Sequence, residues 1–133
     1  MKKLILLLAL SLPALANPAL FTKYEAVRQG FIKNKLVDVN KHAAALATDA
    51  RAANNEAVAR LADAVAKAPD MGKARTAFGA LSEKMIEQRA SLDGKKPAVY
   101  SCPMVNKSWL QPKGKVGNPY DSAMVTCGSL KAE

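Results

Sequence analysis

The sequence predicts an all-α protein: a small antiparallel bundle of four helices, or of three, followed by an irregular, β-hairpin-like C-terminal tail that carries cysteine and methionine. Three observations support this prediction. Apolar residues recur at helical spacing from residue 20 to about residue 90 of the 133-residue chain. The periodic segments are separated by only a few residues, which favours antiparallel neighbours. Beyond residue 97 the helical period is lost.

The first two predicted helices lie between residues 20 and 53. The first should end near Asn34, and Asp38 is the predicted N-cap of the second. The apolar positions that define them are Leu20, Tyr24, Val27 and Phe31 in the first helix, and Val39, Ala43, Leu46, Ala50 and Ala53 in the second.

The third and fourth predicted helices follow the pair Asn54-Asn55, which supplies a break and a new cap, although the second and third helices could also merge into one bent helix. Pro69 ends the third helix, and Asp70 caps the fourth, which should run to about Ala90. The apolar positions that form one stripe along each helix are Val58, Leu61, Ala62 and Val65 in the third helix, and Met71, Ala74, Phe78, Leu81 and Met85 in the fourth.

The tail begins after a run of turn residues, 91–97. Residues 98–100 (Ala-Val-Tyr) and 125–127 (Val-Thr-Cys) are short strand candidates that could pair with each other. A loop rich in proline and glycine separates them. The predicted organisation is therefore one helical domain, residues 17–133, with a tail at about 97–130.

The N-terminus has the features of a secretory signal peptide. Lys2 and Lys3 precede the apolar stretch LILLLALSL, and Ala14-Leu15-Ala16 is a typical cleavage site, so we expect cleavage after Ala16. No second hydrophobic segment follows, and the mature chain is therefore predicted not to span a membrane. The short leader is typical of bacteria and predicts a periplasmic protein, in an oxidising compartment.

The composition argues against two classes of function. The net charge is +9, of which Lys2 and Lys3 supply two, and the remaining basic residues are spread along the chain without runs. Nucleic-acid binding would require basic residues clustered on one face with aromatics between them. No catalytic motif, phosphate-binding glycine loop or paired carboxylate is present, so we expect a protein that is not an enzyme.

The tail collects most of the chemically distinctive residues. Cys102 and Met104 are two residues apart, which places them on one face of an extended strand, and Met124 and Cys127 are three apart, as in a turn. Folding one pair over the other would gather two thiolates and two thioethers. Such soft donors select Cu(I) or Ag(I), and thioether is a poor ligand for zinc.

A disulfide between Cys102 and Cys127 is the competing interpretation of the same residues. Two cysteines in an exported protein without a metal motif most often form a disulfide. Closing the loop between them would stabilise the fold by roughly 3 kcal/mol. Met104 and Met124 would then fill the core.

Three further features, a histidine, a tryptophan and a turn, have predicted roles at or near this site. His42, the only histidine, lies one position off the apolar stripe of the second helix and is a candidate additional copper ligand. Trp109 is predicted to anchor the tail on the helices. The turn at 118–120 (Asn-Pro-Tyr) would aim Met124 at the site.

The ordered pattern of the tail resembles a known family. Its elements are Tyr100, Cys102-Pro103-Met104, Trp109-Leu110-Gln111, Asn118-Pro119-Tyr120, Met124 and Cys127-Gly128. This pattern resembles the C-terminal signature of a bacterial periplasmic domain described as heavy-metal or copper binding, which occurs alone or fused to membrane-fusion subunits of copper/silver efflux systems. Residues 24–51 and 74–82 resemble the upstream helices of that family more weakly. Asp121-Ser122 departs from the family, which usually has an aromatic residue and a glycine there, and the loop before Trp109 is short.

The resemblance implies a helical bundle whose tail presents Cys102, Met104, Met124 and Cys127 to a metal ion. The expected function is a periplasmic Cu(I) or Ag(I) binding protein that buffers the metal or passes it to an efflux pump subunit or a copper chaperone. The alternative is a structural or interaction domain secured by a Cys102–Cys127 disulfide.

Overall fold

The structure, a computed structural model, describes residues 18–92 and 96–133. The predicted signal peptide, residues 1–16, lies outside the described residues. The described elements are α1 (Pro18–Ile32), α2 (Leu36–Ala52), α3 (Glu56–Ala66), α4 (Met71–Glu87), a short 3₁₀ turn (Arg89–Ser91), β1 (Ala98–Cys102), β2 (Lys107–Gln111) and β3 (Ser129–Ala132).

The helical part of the prediction is confirmed, since four separate helices occupy the predicted segments. Nearly all the predicted stripe positions are buried, among them Leu20, Val39, Val58 and Phe78, each with no exposed surface. The second and third helices do not merge, because Asn54 adopts a left-handed conformation with φ 56° between them. Each helix packs mainly against the next one along the chain.

The helix caps agree with the sequence at two of three positions. The side chain of Asn55 accepts a hydrogen bond from the backbone N–H of Val58, and that of Asp70 accepts one from Lys73. The prediction that Asp38 caps α2 is wrong: the N-cap is Lys35, and Asp38 lies in the first turn. The chain reverses at Asn34, whose φ is 54°, and α2 therefore begins earlier than expected.

The tail forms a three-stranded antiparallel sheet in the order β2-β1-β3, so the fold is mixed rather than all-α. Strand β1 includes the predicted residues 98–100, and its register with β2 pairs Tyr100 with Trp109 and Cys102 with Lys107. The prediction of a strand at 125–127 is wrong. That segment is a turn, closed by a bond from Cys127 N to Met124 O at 2.9 Å, and the strand begins at Ser129.

An aromatic cluster joins the helices to the sheet. Phe78 on α4 lies 4.9 Å, centroid to centroid, from both Tyr24 and Phe31 on α1, and 5.8 Å from Tyr120 of the tail. Trp109 on β2 meets Tyr120 edge-on at 6.1 Å. Trp109 has no exposed surface, which confirms that it anchors the tail in the core. The alanine-rich helices thus obtain their large buried side chains partly from the sheet.

In the described ranges, 18–92 and 96–133, no helix combines the length and apolar character that crossing a bilayer requires.

Candidate functional site

The two cysteines are joined to each other in the structure. Cys102 and Cys127 form a disulfide with 5.6 Å between their Cα atoms. The disulfide considered as the alternative is therefore present, and in this form neither sulfur is a thiolate ligand. Cys102, at the end of β1, is 1% exposed, and Cys127 is half-buried against the core.

Successive turns bring Cys127 back to the end of β1. The side chain of Asn118 accepts a hydrogen bond from Tyr120 N at 2.9 Å, and Asn118 N donates to Val125 O at 2.8 Å. Met124 N then donates to Asp121 O at 3.1 Å. These local bonds curl residues 118–127 into a compact loop, and this loop geometry determines where Cys127 lies.

Buried polar side chains tie the same loop to the rest of the protein. Gln111 is 1% exposed and its amide oxygen accepts bonds from Trp109 Nε1, at 2.9 Å, and from Gly117 N, at 3.1 Å. Arg28 on α1 donates to Gly117 O at 2.7 Å, and Arg75 on α4 donates to Pro119 O at 3.4 Å. The loop before the disulfide is therefore fixed to β2, α1 and α4.

Tyr120 occupies the centre of this attachment. Its hydroxyl donates a hydrogen bond to Ser108 O at 2.9 Å, and the Nζ atom of Lys107 lies 5.0 Å from its ring centroid. Burial raises the pKa of Tyr120 far above its ordinary value, as it does the pKa of Tyr24. Both phenols are therefore neutral hydrogen-bonding groups at physiological pH.

The two methionines lie in turns next to the cysteines but differ in exposure. Met104 belongs to the turn between β1 and β2 and is 74% exposed, so its side chain projects into solvent. Met124 is half-buried and begins the turn that ends at Cys127. The expectation that Met104 fills the core, which belonged to the disulfide alternative, is wrong.

His42 lies on α2 and is half-buried. Helix α2 packs mainly against α1 and α3, whereas the sheet that carries Cys102 packs against α4. Across the described part of the chain, no three side chains of histidine, cysteine, aspartate or glutamate gather as a metal-binding group. That finding leaves methionine ligands untested, and the role of His42 stays a prediction.

A polar groove of about 290 Å³ lies beside the disulfide, between α4 and the sheet. We call it the α4–sheet groove; the side chains that define it are Glu83, Ser101, Cys102, Lys107, Ser108 and Lys131. Sequence reasoning did not single out Glu83, Lys107 or Lys131, because they are far apart in the chain and belong to no motif. The pairing of β2 and β3 with β1, and the packing of α4 against β2, bring them together.

A second, larger cavity of about 730 Å³ lies elsewhere, with Phe21, Pro97, Pro112 and Lys113 among its lining residues. It contains neither the cysteines nor Met104 and Met124. Lys113 is already paired with Glu133, and that hydrogen bond raises the pKa of Lys113. We therefore place the candidate site at the disulfide, where the reactive groups lie.

Comparison of the chain with family models, with curated proteins and with solved structures gave no match. The resemblance of the tail to the copper-binding family thus rests on the residues quoted for it. The site contains a disulfide, a type of bond that thiols open by exchange, and a methionine in the turn next to each of its cysteines.

Proposed function

We propose that this protein is an exported, non-enzymatic binding protein for a soft monovalent ion, Cu(I) or Ag(I). In this proposal the thiolates of Cys102 and Cys127 bind the ion after the disulfide is reduced. The four helices, as a bundle, are the rigid support of the site. The observation that carries the proposal is the position of the two cysteines, which the disulfide brings together from opposite ends of a 25-residue separation.

The spacing of the two cysteines suits a bridging ion. Metal–thiolate bonds of about 2.3 Å, the length found for zinc, place two sulfurs on opposite sides of an ion up to roughly 4.6 Å apart. Backbones 5.6 Å apart at their Cα atoms reach that separation by side-chain rotation alone. Reduction thus leaves a pair of thiolates already positioned for one ion, with little reorganisation of the strand or the turn.

The methionines supply the selectivity in this proposal. Met124 shares a closed turn with Cys127, which keeps the two residues close along the backbone. Met104, on the exposed turn after Cys102, is free to join or leave the ion, which suits exchange of metal with a partner. Thioether ligands favour Cu(I) and Ag(I) over zinc. His42 is not needed for this ligand set.

The proposed location and partners follow from the same chemistry. A disulfide is typical of proteins in an oxidising compartment. Because a signal peptide is also predicted, we assign the protein to the periplasm. There it would buffer copper, or pass it to an efflux pump subunit or a copper chaperone, as part of heavy-metal resistance. The resemblance of the tail to the copper-binding family supports this assignment.

The disulfide itself favours a second candidate function, a structural or interaction domain in which the Cys102–Cys127 bond permanently secures the tail. The buried bonds of Gln111 and Arg28 to the same loop are consistent with such a role. The two candidates differ in whether the reduced protein captures a soft metal.

Titration of Cu(I) against a chromophoric chelator tests the proposal. Reduced wild-type protein should bind one ion, and Met124→Ala should bind it about tenfold more weakly, a loss of roughly 1.4 kcal/mol. The paired variant Cys102→Ser/Cys127→Ser should lose binding altogether. Met71→Ala, on the first turn of α4, is the matched control for a methionine outside the site and should bind as wild type does.

Two results would reject the metal proposal in favour of the structural one. The first is equal Cu(I) affinity in the reduced wild type and the double serine variant. The second is failure of added Cu(I) to protect either reduced cysteine from alkylation. Thiol counting on protein from the periplasm then shows which oxidation state is present at rest.

A further inference from the structure

The α4–sheet groove borders one particular cysteine of the disulfide. Cys102 lines the groove, while Cys127 is not among its lining residues. Cys102 is only 1% exposed overall, and the groove borders this residue. The groove is about 290 Å³, which is the size of a small organic thiol rather than of a protein domain.

The charge of the groove is set by two lysines and one glutamate. Lys107 is the β2 residue paired with Cys102 across the hairpin, and Lys131 lies on β3, on the other side of β1. Glu83, on α4, is the acidic residue of the groove. The positive charges outnumber the negative one, so the groove attracts anions.

The side chain of Lys107 lies between α4 and the ring of Tyr120. Its Cδ, Cε and Nζ atoms lie 3.7 Å from where a Cβ atom would sit on Gly79 of α4. Its ammonium group also lies 5.0 Å from the ring centroid of Tyr120. Because Lys107 is also the strand partner of Cys102, its positive charge belongs to the residue beside the position where a thiolate on Cys102 would form.

The geometry points to the α4–sheet groove as a docking site for a small anionic thiol, which reduces the Cys102–Cys127 disulfide. Such a reaction would control the metal site, because only the reduced cysteines bind an ion. This regulatory role rests on the proposed function, whereas the thiol-binding groove itself does not.

The reaction balances with two molecules of thiol. The first thiolate attacks Sγ of Cys102, the S–S bond breaks, and Cys127 leaves as a thiolate. The second thiolate attacks the sulfur of the first thiol in the mixed disulfide, and Cys102 leaves as a thiolate that Lys107 and Lys131 stabilise. The two thiols depart as their own disulfide, and two electrons have passed to the protein.

The test compares reduction rates of the full chain by thiols that differ in charge, in the absence of metal. Mercaptoethanesulfonate, mercaptoethanol and cysteamine serve as anionic, neutral and cationic probes, named for the charge of the group that each carries besides its thiol. Each rate is divided by the thiolate concentration. We expect the anionic probe to react fastest. Lys107→Gln and Lys131→Gln should each reduce its rate roughly three- to five-fold at low salt, with a smaller reduction for mercaptoethanol, whose thiolate carries one negative charge fewer.

Matched variants separate the groove from general charge effects. Lys41→Gln removes an exposed lysine on α2 and should leave the ratio of anionic to cationic rates unchanged. Glu83→Gln should raise that ratio, the opposite sign to the lysine variants. Lys131 lies on an exposed strand, so its replacement leaves the core intact.

Mapping of the mixed disulfide identifies which sulfur is attacked. Protein treated briefly with glutathione and quenched with acid should carry the glutathionyl group on Cys102 by peptide mass spectrometry. Glutathione found on Cys127 alone, or rates that do not respond to Lys107, Lys131 and Glu83, would overturn the proposal. Because no metal is added, failure here leaves the copper proposal standing, and loss of copper binding leaves this one standing.

Discussion

The hydroxyl oxygen of Tyr24 on α1 accepts a hydrogen bond from the backbone N–H of Leu110 on β2, with 3.2 Å between the two atoms. The same hydroxyl lies 2.7 Å from Oγ of Ser82 on α4. All three residues have no exposed surface. One side chain therefore fastens the β1–β2 hairpin to two helices and positions the strand pair in which Cys102 lies.

Replacement of Tyr24 by phenylalanine should destabilise the protein by about 1–3 kcal/mol, because Leu110 N–H and the hydroxyl of Ser82 lose their buried partner. The ring stacking on Phe78 is retained. Urea denaturation of the oxidised protein measures this change. Tyr100→Phe is the control: its hydroxyl bonds to Gly114 in a partly exposed place, so the loss should be below about 1 kcal/mol. Equal losses in the two variants would contradict the assignment.

The buried tyrosines should also make stability sensitive to alkaline pH. Burial raises the folded-state pKa of Tyr24 and Tyr120 well above the ordinary value near 10. The unfolded chain therefore loses these protons first. The stabilisation is complete below about pH 10 and falls as the pH rises further, by about 1.4 kcal/mol per pH unit for each tyrosine.

Urea denaturation between pH 8 and pH 11.5 checks this prediction. Tyr120→Phe should lower the free energy of unfolding at neutral pH, because the bond to Ser108 O is lost. Above about pH 10 its free energy of unfolding should fall less steeply than that of the wild type, by the amount that one buried tyrosine contributes. An alkaline slope that is the same in wild type and Tyr120→Phe would show that this phenol ionises normally in the fold.

The helices could be predicted from the sequence because their signals are local. Stripes such as Val58, Ala62 and Val65 and caps such as Asn55 and Asp70 require no knowledge of the rest of the chain. The strands depend on distant partners. All four residues of β3 are exposed, so no apolar alternation marks it, and the β-branched residues Val125 and Thr126 form a turn instead.

The candidate site was predictable in the same partial way. The proximity of Cys102 and Cys127 could be predicted from the sequence, because a pair of cysteines in one small domain has few other partners. Composition left the choice between thiolates and a disulfide open. The exposure of Met104 and the charges beside Cys102 depend on strand register, which a single sequence does not specify.

Removal of the disulfide should cost about 3.5 kcal/mol of stability, the loop-entropy value for the 25-residue separation of its cysteines. Cys102→Ala/Cys127→Ala should therefore unfold at much lower urea concentration than the oxidised wild type. It should also exchange the amide hydrogens of Ser129–Ala132 faster, because β3 directly follows the bond. The variant should not respond to a reducing agent, whereas the wild type should. A loss below about 1 kcal/mol would show that the buried loop contacts already hold the tail.

The packing of Trp109 against Gly128 provides the sharpest test of the tail. A Cβ atom on Gly128 would lie 2.7 Å from Cη2 of Trp109 and 3.0 Å from Cγ1 of Val116. Trp109 is fully buried and bonded to Gln111, so it has no room to move. Gly128→Ala should therefore destabilise the protein and alter the fluorescence of Trp109, the single tryptophan of the chain.

Gly114→Ala is the matched control for Gly128→Ala. The two glycines have similar φ angles, 152° and 157°, but a Cβ atom on Gly114 meets nothing within 4 Å. Both alanine variants therefore carry similar backbone strain. The difference between their free energies of unfolding reports the steric clash of the new Cβ atom at position 128. We expect Gly128→Ala to cost about 1–3 kcal/mol more than Gly114→Ala in urea denaturation. If both variants lose the same stability and leave the Trp109 emission unchanged, the loop after Cys127 does not pack on β2 as described, and the fixed position of Cys127 would have to rest on the disulfide alone.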